Sequence, residues 1–373
     1  MSKKIFFAVS ALIGTIIGAG FLGIPYVIMK SGFGLGLLNM LIIAIAMVII
    51  MLYLGEITLR TKSNHQLTGY AEKYLGKKGK ILMFIAVIFG IYSALVAYLI
   101  GEGESLSYLF FNTAQYEIYF AIAFWLILSS LTFFGMKALK SGESIGVTIM
   151  FVLIIILSVV SFNKINFSNL SYNNLPEFFT PFGVILFAFL AFSIVPELKR
   201  ILKDEGKSMK KSIIVSYIAA FIVYAAFTAV VLGFKGLETP EIATFALGNI
   251  FVLLGMITMF TAYLALSIAL EDNFKLDMNK SRIKSWLLTV SPPLIIYLIL
   301  QFIGKADFVR VIGVGGAISG TLTAFLILKM IKKSKKIGDK KPEYSLPYSS
   351  LIAFIIMTIF IIGTIFEIIN AFR

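Results

Sequence analysis

Of 373 residues, 59% are hydrophobic and only 14% charged, against about 25% charged in an average soluble domain, so the chain reads as an integral membrane protein. Having no cysteine excludes disulfides, thiolate metal sites and thiol redox chemistry, and a single histidine, His65, excludes a histidine metal cluster. The net charge of +14 points to anionic lipid headgroups rather than nucleic acid, provided the basic residues collect in loops beside the bilayer.

With about 20 apolar residues to a span, eleven transmembrane helices are expected, over residues 5–29, 34–59, 81–111, 117–136, 144–162, 179–197, 212–233, 248–270, 286–303, 308–330 and 347–370. The first run exceeds a signal-peptide core and lacks a convincing cleavage site, so it is read as a retained helix. It contains GTIIGAGFLGIP, Gly14 to Pro25, with four glycines and a proline in twelve residues, a composition that opposes regular helix. Irregular backbone at membrane depth survives only where protein buries it or it lines a cavity. The stretch is therefore read as a binding site, where a small carboxylate is held near Gly18, Ala19 and Gly20 by free N–H groups and the positive end of a half-helix. The same glycines also suit close helix packing, since Gly14 and Gly18 form a GxxxG pair.

After the second span, the loop Gln66 to Lys80 mixes Leu67, Tyr70, Tyr74 and Leu75 with lysines, as a short interfacial helix or an ordinary basic loop would. His65 precedes it in a polar loop and is read as solvated. The third span carries two carboxylates, Glu102 and Glu104, near one end. The sixth, Thr180 to Leu198, reads TPFGVILFAFLAFSIVPEL. Pro196 disfavours helix at Val195, and Phe187, Phe189 and Phe192 offer a bulky lining. Either the span breaks here or Pro196 ends it before a basic loop. Its place five spans after the first favours the break, because inverted-repeat transporters interrupt corresponding helices. The longest polar insert, Ser334 to Pro347, is read as a lysine-rich connector.

Lysine and arginine collect in cytoplasmic loops. With the N-terminus inside, 27 of the 33 basic residues fall in inside segments, and eleven spans put the C-terminus outside.

Several stretches together carry a family resemblance: TIIGAGFLGIPYV (Thr15 to Val27), AYLIGEGESL (Ala97 to Leu106), FGVILFAFLAFSIVPEL (Phe182 to Leu198) and FTAYLALSIALED (Phe260 to Asp272). They resemble the first, third, sixth and eighth helices of the amino acid/auxin permease and hydroxy/aromatic amino acid permease group, in the amino acid-polyamine-organocation superfamily. The resemblance implies an all-α 5+5 inverted-repeat fold of the leucine-transporter type with broken helices 1 and 6. The chain would form one transmembrane domain, its repeats at about 5–162 and 179–330 and an extra helix at about 347–370.

By position, the resemblance puts the substrate carboxylate on Gly18, Ala19 and Gly20. The ammonium falls on carbonyls near Phe187, Ala188 and Phe189, and side-chain selection on Phe189, Phe192, Ser193, Tyr92 and Leu266. One departure is Ala191, where relatives commonly have glycine. Two broken helices also meet the physical need of a zwitterion, which wants donors at one end and acceptors at the other.

The expected function is secondary active transport of a neutral, apolar or aromatic amino acid across the cell membrane. No enzyme is expected, since the membrane interior lacks a cluster of catalytic groups, and no cofactor. A channel would show pore signatures or charged rings, and none is seen. An exchanger or a sensor on the same fold is the alternative. For coupling, the proton is favoured over sodium. In sodium-coupled members of this fold a site uses carbonyls of the first span, here Gly14 and Ile17, and two hydroxyls of the eighth, where this chain has Thr261 but Ala262. Thr258, one turn back, would have to complete the shell. The fifth span has no lysine to replace the ion, leaving Glu102 or Glu104 as proton carrier.

Overall fold

The computed structural model describes residues 3–134, 165–203, 205–278 and 280–372. The fifth expected span, 144–162, lies outside the described residues. The helices are α1 (Lys3–Ile16), α2 (Ile24–Ser31), α3 (Phe33–Arg60), α4 (Leu67–Phe111), α5 (Glu117–Phe134), α6 (Phe182–Ala188), α7 (Val195–Ile201), α8 (Gly206–Lys235), α9 (Asn249–Asp277), α10 (Arg282–Phe302), α11 (Phe308–Ile337) and α12 (Ser350–Phe372). Among the described residues, nine helical spans are long and apolar enough to cross a bilayer, and α1 with residues 19–31 makes a tenth, bent by 47°. These ten match the expected spans other than the fifth.

Burial separates the two sides of α10 and α12. Ile295, Ile299 and Phe302 on α10 and Leu351, Phe354 and Ile365 on α12 are exposed, an arrangement tolerable only against lipid. Inside, α11 packs against α3, α4, α6 and α12, and α8 against α1 and α3. The short helix α6 nests on α11 because Gly316 has no side chain: a Cβ there would stand 2.4 Å from the Gly183 carbonyl oxygen and 2.5 Å from Phe187 Cβ. Such close backbone approach is the general use of small residues between membrane helices.

Two loop readings change. The segment 67–75 is helical, joined to the rest of α4 through Gly76 at φ 75°, but Leu67, Tyr70 and Tyr74 are buried in the bundle, and the Tyr74 hydroxyl shares a 2.7 Å hydrogen bond with Thr61. Protein rather than lipid covers its apolar side. His65 is half-buried, not solvated: Nε2 lies 2.7 Å from the Ser63 hydroxyl and the ring packs edge-on to Tyr70. Partial burial, with Lys73 and Lys199 nearby, holds its pKa below the usual histidine value.

The lysine-rich connector after α11 folds back across the end of α3. Glu56, fully buried, takes Lys335 Nζ at 2.7 Å, Arg60 at 2.8 Å, the Ser345 hydroxyl at 3.0 Å and the Leu346 N–H at 2.8 Å. Tyr344 adds a hydrogen bond to the Leu52 carbonyl, and Tyr53 one to that of Pro347. A carboxylate with this many donors has its desolvation offset.

Candidate functional site

Regular helix stops at Ile16 and resumes as a tight turn over Ala19–Gly23, with Gly18 extended at φ −90°, ψ −167°. The glycine content explains the stop, and Pro25 begins the next segment as the second residue of α2, where its missing N–H is not needed. In the sixth span α6 ends at Ala188, Ala191 is non-helical at φ −142°, ψ 30°, and α7 begins at Val195. Pro196 is the second residue of α7, so it starts a helix instead of ending one.

The two interruptions meet. A Cβ on Gly20 would stand 2.7 Å from the Phe187 ring and 3.4 Å from Ala188 Cα. The Tyr224 hydroxyl on α8 reaches both, 2.7 Å from the Ile16 carbonyl oxygen and 3.0 Å from that of Ala188. One turn pair earlier on the same face, Tyr217 donates to the Phe189 carbonyl at 2.8 Å. Phe189 packs against both tyrosines, and Phe21 against Tyr224 and Phe227. All five rings are buried.

Space and polarity at the site are uneven. A Cβ on Gly14 would meet nothing within 4 Å and one on Gly18 only the Thr15 carbonyl at 4.0 Å, so both face open room. Ser193 is exposed beside buried Phe192. The first N–H groups of a helical segment lack an acceptor within it, which leaves those of Ala19 and Gly20 available at the break. Opposite, the carbonyls of Ala188 and Phe189 each hold one tyrosine hydroxyl and retain a second lone pair.

Other residues singled out from the sequence lie further off or play different parts. Tyr92 gives its hydroxyl to the Leu288 carbonyl on α10. Leu266 is half-buried on α9, the helix that packs against the 19–23 turn. Thr258 and Thr261 are buried there, their hydroxyls donating to the carbonyls of Leu254 and of Ile257 and Thr258. Ile17 follows the end of α1, its N–H bonded to the Ile13 carbonyl. The two carboxylates of α4 part company. Glu102 is 2% exposed, with Oε1 lacking a hydrogen-bond partner among the described residues. Glu104 is half-buried and lines a pocket with Glu241 and Asp307.

Sequence reasoning missed Tyr217 and Tyr224. Two tyrosines seven residues apart in an apolar span were the available signal, since a phenolic hydroxyl at membrane depth must find an acceptor.

A profile of the tryptophan/tyrosine permease family matches residues 1–246 and 238–367. The chain belongs to that family. It is a multi-pass membrane transporter and not an enzyme. Among curated proteins the permease is similar to "Glutamine transporter 2" of Aliivibrio fischeri, 24% identical over 357 residues and covering 90% of each chain. It is likewise similar to "Tyrosine-specific transport system 1" of Haemophilus influenzae, 24% identical over 366 residues and covering 88% of each.

Proposed function

We propose that this permease is a proton-coupled secondary active transporter of a neutral amino acid, apolar or aromatic, working by alternating access in a 5+5 inverted-repeat fold. The observation that carries the reading is the meeting of two non-helical segments under the Tyr224 hydroxyl. Donors at Ala19 and Gly20 face the carboxylate, and acceptors at Ala188 and Phe189 face the ammonium, so a zwitterion is desolvated without leaving either charge unmatched. Phe189 and Phe192 receive the side chain. Buried Glu102 is the proton carrier, and the lysine-rich loops lie in the cytoplasm with the C-terminus outside.

The relatives' printed names, a glutamine transporter and a tyrosine-specific transport system, support the reading of a neutral substrate. The test is accumulation of labelled tyrosine, tryptophan and glutamine in proteoliposomes. Uptake of at least one against its gradient, driven by an inward proton gradient in sodium-free buffer, is expected. Binding without flux under any imposed gradient would make the protein a sensor instead. Exchange without accumulation would make it an exchanger.

A further inference from the structure

We propose a second site for a zwitterionic amino acid, separate from the interrupted helices, in a cavity of about 520 Å³ bounded by α2, residues 172–180, α11 and α12. The ligand class and the placing of this cavity on the outer side rest on the transport reading above.

Two cations, Lys30 and Arg310, and three carboxylates, Glu177, Asp307 and Glu367, line the cavity. Opposite charges sharing so small a space ordinarily pair, but among the described residues neither cation forms a salt bridge. Lys30 stands 4.4 Å over the Tyr26 ring, and the Arg310 guanidinium has no hydrogen bond among the described residues. Glu177 already accepts the Thr180 hydroxyl, and Asp307 caps α11 through the Arg310 N–H at 2.7 Å. Glu367 is different. It is only 9% exposed, and its one hydrogen bond among the described residues is a long one, 3.3 Å from the Gly183 N–H. The chain keeps a slot for it: a Cβ on Gly313 would lie 2.1 Å from Glu367 Oε1.

A nearly buried carboxylate with one weak donor and, across the same cavity, two cations outside any salt bridge describe the two ends of a zwitterion. The ligand carboxylate goes to Arg310, whose fork suits it, with Lys30 beside it, and the ammonium goes to Glu367. An inorganic anion would satisfy the cations and leave Glu367 without a partner. Among the described residues no three of these carboxylates are grouped so as to hold a metal ion. The site is distinct from the first, since Gly183 and Ala188 lie at opposite ends of α6, about 8 Å apart along its axis. Its walls belong to the segment after the first interruption and to helices touching the segment before the second. A bound amino acid therefore ties these together and slows their opening, so excess external substrate inhibits uptake.

The experiment is equilibrium binding of the twenty common amino acids, each radiolabelled, to the full-length protein in lipid nanodiscs. At least one should bind with two molecules per chain. Arg310→Ala and Glu367→Gln should each weaken the second phase by about tenfold or more, as loss of a charge-assisted contact does. Both should leave the first phase intact, which also certifies their folding, and should relieve inhibition of uptake by high external substrate in proteoliposomes. Gly18→Leu should do the converse, removing the first phase only. A stoichiometry of one, or a second phase indifferent to both cavity variants, overturns this proposal while continued uptake leaves the transport reading standing. No binding and no uptake of any amino acid overturns both.

Discussion

The Tyr224 hydroxyl lies 3.0 Å from the Ala188 carbonyl oxygen, the last helical acceptor before the sixth-span interruption. The same hydroxyl is 2.7 Å from the Ile16 carbonyl at the end of α1, which also accepts the Gly18 N–H at 2.9 Å, so one O–H proton is shared between the ends of two separate helices. With no water to take its place, each such group left bare costs several times what it would at a surface.

Tyr224→Phe deletes this bridge and keeps the ring stack with Phe21 and Phe189. The Ile16 carbonyl keeps the Gly18 N–H, but that of Ala188 loses its donor, which costs about 1–3 kcal/mol for a buried group, so the melting temperature should fall and substrate affinity should change with it. Tyr217→Phe, which frees only the Phe189 carbonyl, should have the smaller effect on stability. Equal losses in the two variants would show that the bridging geometry contributes nothing.

Gly18 and Gly20 separate space for substrate from space needed by the fold. At Gly20 any side chain meets Phe187 at 2.7 Å, whereas Gly18 faces open room. Gly20→Ala is therefore expected to cost about 1–3 kcal/mol of stability through overpacking. Gly18→Leu should insert and fold normally and abolish amino acid binding, read by loss of the thermal stabilisation that ligand confers. Retained binding in Gly18→Leu would return this stretch to helix packing.

How much of this was legible beforehand varies with the kind of signal. Span positions follow from runs of apolar residues, which is why ten of them appear where hydropathy puts them. The stretch Gly14 to Pro25 contains the 17–18 interruption because glycine and proline act locally. Pro196 illustrates the limit: residue type alone says that helix is disfavoured before it, and not whether a helix begins or ends there. The Glu56 cluster and the Tyr224 bridge were invisible for a different reason. Both join residues far apart in sequence, Glu56 with Lys335 and Leu346, and Tyr224 with Ile16, and no local pattern encodes such pairing. Glu102 and Glu104, two apart on one helix, face different ways, but which of them is buried is set by the helices packed against α4, and no local pattern encodes that.

The Glu56 cluster is expected to be a major contributor to stability at the lysine-rich end. Glu56→Ala removes the shared acceptor and strands Lys335 and Arg60, and breaking a buried pair costs about 3–5 kcal/mol. Because those cations are partly exposed, at 22% and 15%, the loss should lie toward the lower figure. In a double-mutant cycle with Lys335→Met the coupling energy should be clearly non-zero by thermal unfolding. Additive single losses would mean that the connector is held by Tyr344 and Tyr53 instead.

Glu241, in the connector between α8 and α9, gives a pH dependence of known sign. Burial, and then the neighbouring Asp307 carboxylate, push its pKa up from 4.5 to about 7. The folded state thus binds more protons than the unfolded state between these values. The contribution of this group to stability is full below pH 4.5 and is lost as pH rises toward about 7. Glu241→Gln cannot ionise, so its melting temperature relative to the wild type should climb across that window and level off above it. A difference independent of pH would show that the carboxyl is freely solvated.

The last prediction concerns the coupling ion. Glu102 is 2% exposed on α4, Oε1 has no hydrogen-bond partner among the described residues, and α4 packs along α9 there. Buried carboxylates at membrane depth mark proton pathways, which is the ground for proposing Glu102 as the carrier. Glu104, two residues on, is half-buried and shares its pocket with Glu241 and Asp307. Glu102→Gln should therefore mimic the loaded form: exchange of labelled substrate persists, while accumulation driven by an inward proton gradient falls to background. Glu104→Gln should alter the rate of uptake and preserve accumulation. The competing sodium site would draw on the carbonyls of Gly14 and Ile17 and the hydroxyls of Thr258 and Thr261. Both hydroxyl protons already point at helix carbonyls, which leaves oxygen lone pairs for a cation, while Ala262 supplies no ligand. Strict dependence of uptake on sodium at fixed pH, lost in Thr261→Ala and unaffected by Glu102→Gln, would move the coupling role to those four residues.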